Sequence, residues 1–224
     1  MTSFRADING LRGIAVLLVM LNHTSISLFT GGFIGVDVFF IISGFLITLM
    51  LTKQIDSGNF KFSNFYASRA KRLLPAFHLI CLASLLLSYF FLLSTDLSNT
   101  IVKMISGLFF VKNFSLILGV NNYFDSVVTA EFFIHIWSLS VEEQFYLFWP
   151  LMLLLSFKLK LKYVITIITC VFFSLVYSQS LVETDAKSAY YLVFSRVFQF
   201  GIGAVVVFLP PIKTPLSNNF ISYG

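Results

Sequence analysis

The chain has 224 residues, of which 58% are hydrophobic, 28 are phenylalanine and only 11% are charged. That balance excludes an ordinary soluble domain and fits a polytopic membrane protein. The formal charge of +5 does not point to nucleic acid, because the basic residues fall in short loops between apolar runs.

In chain order, Met1–Asn9 is short and polar, and span one is predicted from Arg12 to Phe29. This first run has no cleavable-signal pattern, since it lacks a basic n-region and a small-residue cleavage site. Thr30-Gly31-Gly32 is a tight turn before span two, Phe33 to Thr52. Lys53 to Arg72 is predicted to be a basic loop. Span three follows from Leu73 to Ser94, with Pro75 in its first turn, where proline is tolerated. The stretch 100–120 is apolar yet carries Lys103, Lys112 and Asn113, and Asn121–Glu131 is a polar loop. Span four is predicted from Trp137 to Phe157, the lysine-rich loop from Lys158 to Lys162, and span five from Tyr163 to Val182. A polar loop, Glu183–Ser188, leads to span six, Tyr190 to Leu209, which Pro210-Pro211 stops. The expected fold is an all-α transmembrane helix bundle, one domain over 1–224, of about six spans, or seven if 100–120 crosses. The excess of Lys and Arg puts both basic loops and the N-terminus in the cytoplasm. Both loops lie inside only if 100–120 does not cross fully and is instead re-entrant, buried against protein.

Ionisable residues within spans are costly and face a cavity or a partner. Arg12 and His23 are eleven residues apart, so they share nearly one helix face and lie roughly 16 Å apart, half a bilayer. The plainer reading makes Arg12 an interfacial anchor and His23 an interfacial polar residue. The topology sorts Arg12, Arg69, Lys71 and Arg72 to the cytoplasmic side, and His23, Asp37, His135, Glu142 and Arg196 to the outer half. Arg69, Lys71 and Arg72 form either a phosphate clamp or a juxtamembrane cluster that touches anionic lipid. Ser140 and Glu143 have capping-box spacing, which leaves Glu142 unexplained at the head of span four. Trp137, Tyr146 and Trp149 otherwise pass as an aromatic belt. Arg196 needs a partner, with Asp37 and Glu142 available, and a structural salt bridge is as open as a catalytic role. Cys81 and Cys170 lie in apolar runs and suggest neither a disulfide nor a metal site.

Four stretches, taken together, resemble one family: Arg12 with ten residues before His23, the run Gly32-Phe33-Ile34-Gly35-Val36-Asp37 continuing through Ser43-Gly44-Phe45-Leu46-Ile47, the Arg69 and Arg72 pair before Pro75, and Trp137-Ser138-Leu139-Ser140-Val141-Glu142-Glu143-Gln144-Phe145-Tyr146. Over nearly the whole chain they are similar to the acyltransferase-3 family of membrane O-acyltransferases, which includes O-acetylases of lipopolysaccharide O-antigen, peptidoglycan and other glycans. The resemblance implies a bacterial inner-membrane enzyme. It would take an acyl group, acetyl above all, from cytosolic acyl-CoA to a hydroxyl of an envelope glycan such as O-antigen. It implies no metal. Arg12 and His23 match the family's first-span pair, Arg69 and Arg72 its cytoplasmic arginines, and Glu142 its glutamate. Family domains are longer, so the chain is expected to lack C-terminal spans. Gln199 stands where many members carry an acid.

The chemistry expected is acyl transfer to an alcohol, which needs a base on the hydroxyl and stabilisation of the oxyanion. His23 is the expected base or transient acyl carrier, with Asp37 or Glu142 orienting it. Arg69, Arg72 and Lys71 would hold the CoA phosphates, Arg12 would sit further along the tunnel, and Arg196 and Ser138 are additional polar candidates. Two other classes stay open: a proton-coupled transporter, because buried Arg, His, Asp and Glu also make proton relays, and an inactive truncated remnant.

Overall fold

The computed structural model describes residues 6–24, 31–91, 101, 104–118 and 135–210. Every regular element among them is a helix. The labelled helices are α1 (Ala6–Asn22), α2 (Ile34–Asp56), α3 (Phe62–Phe91), α4 (Lys112–Ile117), α5 (Ile136–Lys158), α6 (Tyr163–Thr184), α7 (Ala186–Tyr191) and α8 (Val193–Val206).

Helix directions follow from the contacts. Ser43 meets Glu142 and Thr48 meets Trp149, so α2 and α5 run parallel. Asp37 meets Arg196 and Phe40 stacks on Phe200, so α8 runs parallel to both. The other three rods run the opposite way. Gly32 and Gly35 face Leu18 and Ala15, setting α1 against α2. Tyr66 meets Leu147 while Phe77 packs near Ile136, setting α3 against α5. Ser174 meets Phe194 and Val171 meets Gly201, setting α6 against α8. Tyr163 Oη donates to Asp56 Oδ1 at 2.8 Å, which brings the start of α6 to the end of α2. The turns 57–61 and 159–162 therefore share one end of the bundle, the basic end. The chain leaves α3 and enters α5 at the other end.

α2 lies at the centre. Phe40 and Phe145 both stack on Phe200, with ring centroids 4.5 and 4.1 Å away, and Trp149 packs on Phe145 at 4.7 Å. Leu51, Val141, Leu153 and Ile167 complete a core closed to solvent. The close approach of α2 and α8 depends on two glycines. A Cβ at Gly44 would run into the Phe200 carbonyl, and one at Gly203 into that of Ile41. Such small-residue contacts let helices associate where water supplies no hydrophobic drive. The outer faces of α3 and α6 expose Leu79, Leu82, Phe90, Phe172 and Phe173. A contiguous apolar surface of this kind belongs against lipid.

Several boundaries differ from expectation. α1 starts six residues before Arg12 and ends at Asn22, so His23 sits in the turn beyond it. The run Asn22-His23-Thr24 ends the apolar stretch, and Thr24 Oγ1 caps the Leu21 carbonyl at 2.6 Å. The predicted extension to Phe29 lies outside the described residues. The basic loop is only residues 57–61. α3 begins at Phe62, places Arg69, Lys71 and Arg72 on a helix, and carries Pro75 in its interior. Aromatics spaced by helical turns cause this: Phe65 is buried, and Tyr66 Oη donates to the Leu147 carbonyl at 3.1 Å. The Ser140–Glu143 capping box does not form. α5 starts at Ile136, and Ser140 Oγ bonds back to the Ile136 carbonyl at 3.0 Å. Trp137, Tyr146 and Trp149 are core residues rather than a belt.

Stretch 100–120 holds helical residues 104–108 and α4, split at Phe110, whose φ is +53°. Lys112 and Asn113 are fully buried. Lys103 and the loop 121–131 fall outside the described residues. The polar loop 183–188 reduces to Asp185, which caps α7 through the Ser188 N–H at 3.1 Å. Predicted span six is two helices, α7 and α8, joined at Leu192, whose backbone is extended. Four stretches are long and apolar enough to cross a membrane: α2, Phe62–Leu87, α6 and Ala186–Val206. The other two rods fall outside that measure, α1 having 17 residues and α5 carrying Glu142, Glu143 and Gln144.

Candidate active site

At the end away from the basic turns, two histidines meet. The rings of His23, just past α1, and His135, just before α5, lie edge to face with centroids 4.6 Å apart and planes at 83°. His23 Nδ1 is 2.7 Å from the Val19 carbonyl oxygen. A carbonyl only accepts, so Nδ1 carries the hydrogen and, in the neutral ring, Nε2 carries the lone pair. Ser138 Oγ donates to the His135 carbonyl at 3.2 Å.

Beside this pair is a cavity of about 250 Å³ between α1, α2 and α5. Val16, Val19 and Met20 line it from α1, Phe39 from α2, and Ser138 and Glu142 from α5. Both histidines bond to residues that line it, His23 to Val19 and His135 to Ser138. His135 lies one turn before Ser138 and two before Glu142.

Glu142 is held from two helices. Ser43 Oγ and Tyr146 Oη both donate to Glu142 Oε1. The Arg69 guanidinium lies over the Tyr146 ring, 4.2 Å from its centroid, and 6.0 Å from that of Phe65. One tyrosine thus links the α3 arginine to the α5 carboxylate. Arg12 and Arg69 each stand about 10 Å along a helix from its basic end. The two polar layers expected from topology are therefore not separate: Arg69 reaches inward to the Glu142 network. Arg72 follows Arg69 by one turn and, like Lys71, is exposed, whereas Arg12 is half-buried.

Asp37 belongs to another cluster. Arg196 Nη1 lies 3.3 Å from Asp37 Oδ1, and Gln199 Nε2 donates to the same oxygen at 3.4 Å. Arg196 Nε also donates to the Tyr190 carbonyl at 2.8 Å, and its guanidinium sits 4.5 Å from the Tyr190 ring centre. Of the two partners open to Arg196, the structure selects Asp37. A third network joins α4 to α5. The Asn113 and Gln144 amides bond reciprocally at 3.2 and 2.9 Å, and they anchor the Tyr191 and Phe110 carbonyls.

Sequence reasoning did not assign a role to Ser43, Tyr146 or His135. Signals for two of them were present. Tyr146 is one turn after Glu142 and His135 two turns before it, all on one face. Ser43 reaches Glu142 only through the packing of α2 on α5.

These features define an all-helical, multi-pass membrane protein with an intramembrane polar site. A family model described as an acyltransferase domain matches residues 5–222, and the chain belongs to that family, acyltransferase-3. It is 35% identical to the peptidoglycan O-acetyltransferase OatA of Listeria monocytogenes, over 92% of this chain and 34% of that protein. It is 34% identical to YrhL of Bacillus subtilis, named "Putative peptidoglycan O-acetyltransferase", over 96% of this chain and 35% of the relative. It is also 35% identical to a Staphylococcus aureus protein named "Putative O-acetyltransferase", over 94% and 36% of the two chains. The chain thus spans about a third of the length of these relatives. No solved structure matches it.

Proposed function

We propose that this chain performs membrane O-acyl transfer, moving an acetyl group from cytosolic acetyl-CoA to a hydroxyl of an envelope glycan at the outer face of a bacterial plasma membrane. The basic end would face the cytoplasm, which also puts the N-terminus there. Two relatives are named for peptidoglycan. A peptidoglycan-type glycan is accordingly the favoured acceptor, ahead of O-antigen.

The observation that carries this reading is the His23 hydrogen bond to Val19, a residue that lines the cavity, which leaves Nε2 as the ring's nucleophilic nitrogen. In the first step Nε2 bonds to the thioester carbonyl carbon, the C–S bond breaks, and CoA leaves as the thiolate. In the second, the acceptor hydroxyl oxygen bonds to the same carbon and the C–N bond breaks. Two steps suit substrates that arrive from opposite faces, because both need not be bound together. Arg69 and Arg72, one turn apart on α3, would hold the donor's phosphates with Lys71 near them. Arg12 shares the Val16–Val19 face of α1, which leads toward His23, and would guide the pantetheine arm. Glu142 lines the cavity and would act on the reacting groups, while Asp37, engaged by Arg196 and Gln199, fastens α2 to α8.

The test is transfer of radiolabel from acetyl-CoA to envelope glycan in membranes that express the chain. His23→Ala is expected to abolish it. Undiminished transfer by that variant would remove His23 from the chemistry.

A further inference from the structure

Glu143 has no task in the site as described. Its spacing from Ser140 suggests a capping box, and that box does not form. Four residues to either side of it, α5 touches α3. Leu139 packs against the Phe77–Cys81 pair, and the Leu147 carbonyl accepts from Tyr66 Oη at 3.1 Å. Residues four apart share a helix face, so the half-buried Glu143 stands between these two contacts, on the face of α5 that meets α3. The charges that act on its carboxylate are those of Glu142 and Arg69. Arg69 is exposed and rests on the Tyr146 ring, three residues past Glu143. Glu142 turns to Ser43 and the cavity, while Glu143 turns to α3.

We propose that Glu143 is a positioning residue of the donor site, whose carboxylate competes with the donor's phosphates for the Arg69 guanidinium and so limits how tightly free CoA is held. A guanidinium forks onto carboxylate and phosphate alike, so the two are rivals for one cation. One arginine against two neighbouring carboxylates leaves the group negative. A phosphate drawn to Arg69 is therefore repelled from behind it, and the product is not trapped. The assignment rests on the reading that Arg69 is a contact of the acyl-CoA donor.

The experiment measures equilibrium binding of radiolabelled CoA to the 224-residue chain in nanodiscs, and its displacement by pantetheine, which carries no phosphate. It is run at pH 8, so that the carboxylates are ionised. Glu143→Gln is expected to bind CoA about three- to tenfold more tightly, the range of one partly screened charge, with pantetheine unchanged. The KM for acetyl-CoA in the transfer assay should fall by a similar factor. Glu143→Asp keeps the charge and should stay close to wild type. Arg69→Gln should bind CoA more weakly, and adding Glu143→Gln to it should recover only a minor part of the gain seen alone.

Unchanged or weaker CoA binding by Glu143→Gln, with the wild-type chain binding CoA, would overturn the role of Glu143 and leave the donor reading standing. Equal tightening of pantetheine would also overturn it, because a change of shape rather than of charge is then the cause. So would Glu143→Asp tightening as much as Glu143→Gln, or an undiminished gain in the Arg69→Gln background. A wild-type chain that binds CoA no better than pantetheine would overturn the donor reading and this one together.

Discussion

Glu142 shows how a charged residue is made tolerable within a helix bundle. Its carboxylate receives two hydroxyl hydrogen bonds, from Ser43 on α2 and from Tyr146 one turn along its own helix. A hydrogen bond to a charged group contributes about 1.5–3 kcal/mol. Tyr146→Phe deletes one such bond and keeps the ring beneath Arg69 and the Phe145 packing. If Glu142 acts at the cavity, this variant should lose roughly ten- to hundredfold in transfer rate, in line with that energy. Initial rates at saturating acetyl-CoA would measure it. An unchanged rate would restrict Glu142 to holding α2 against α5. Asp37 contrasts with Glu142, because its partners are a guanidinium and an amide on α8 and it ties two helices together.

At the scale of elements, the α2–α8 crossing sets the shape of the bundle. Gly44 and Gly203 meet opposing backbone carbonyls, and neither neighbour can move without shifting its whole helix. Overpacking of this kind costs about 1–3 kcal/mol. Gly203→Ala is therefore expected to lower unfolding stability in detergent by about that amount. Gly13→Ala in α1, where nothing lies within 4 Å of the added carbon, should be neutral or slightly stabilising. Equal effects at both sites would contradict the close crossing. The same scale explains why most of the basic stretch is helix although its charge suggests a loop. Charge marks the topology of a segment but not its secondary structure, and Phe62, Phe65 and Tyr66 carry α3 down beneath the arginines.

For the whole molecule, helix direction is the strongest constraint. α2, α5 and α8 run one way, α1, α3 and α6 the other, and the Tyr163–Asp56 bond puts both basic turns at one end. Cysteines introduced by Asn59→Cys and Lys160→Cys should react with a membrane-impermeant thiol reagent from the same side, the cytoplasm under the proposed orientation. One introduced by Asp185→Cys should react from the other side. Labelling of residues 59 and 160 from opposite sides would break this arrangement. The Asn113–Gln144 pair fits the same plan, because it pins a broken helical stretch against α5 where backbone leaving a regular helix needs protein partners.

The helical class, the approximate places of the rods, the shared side of the two basic turns and the family motifs are legible in the chain alone. These rest on hydropathy, charge and local spacing, all of which are written in consecutive residues. It did not reveal that Ser43 serves Glu142, that Arg69 lies over Tyr146, that Arg196 takes Asp37 instead of Glu142, or that His135 touches His23. Each of those pairs joins helices far apart in the chain. Which helix faces meet is decided by packing constraints such as the two glycines of the α2–α8 crossing. The residue types for the chemistry could be read from the chain, whereas their pairing came only from tertiary packing.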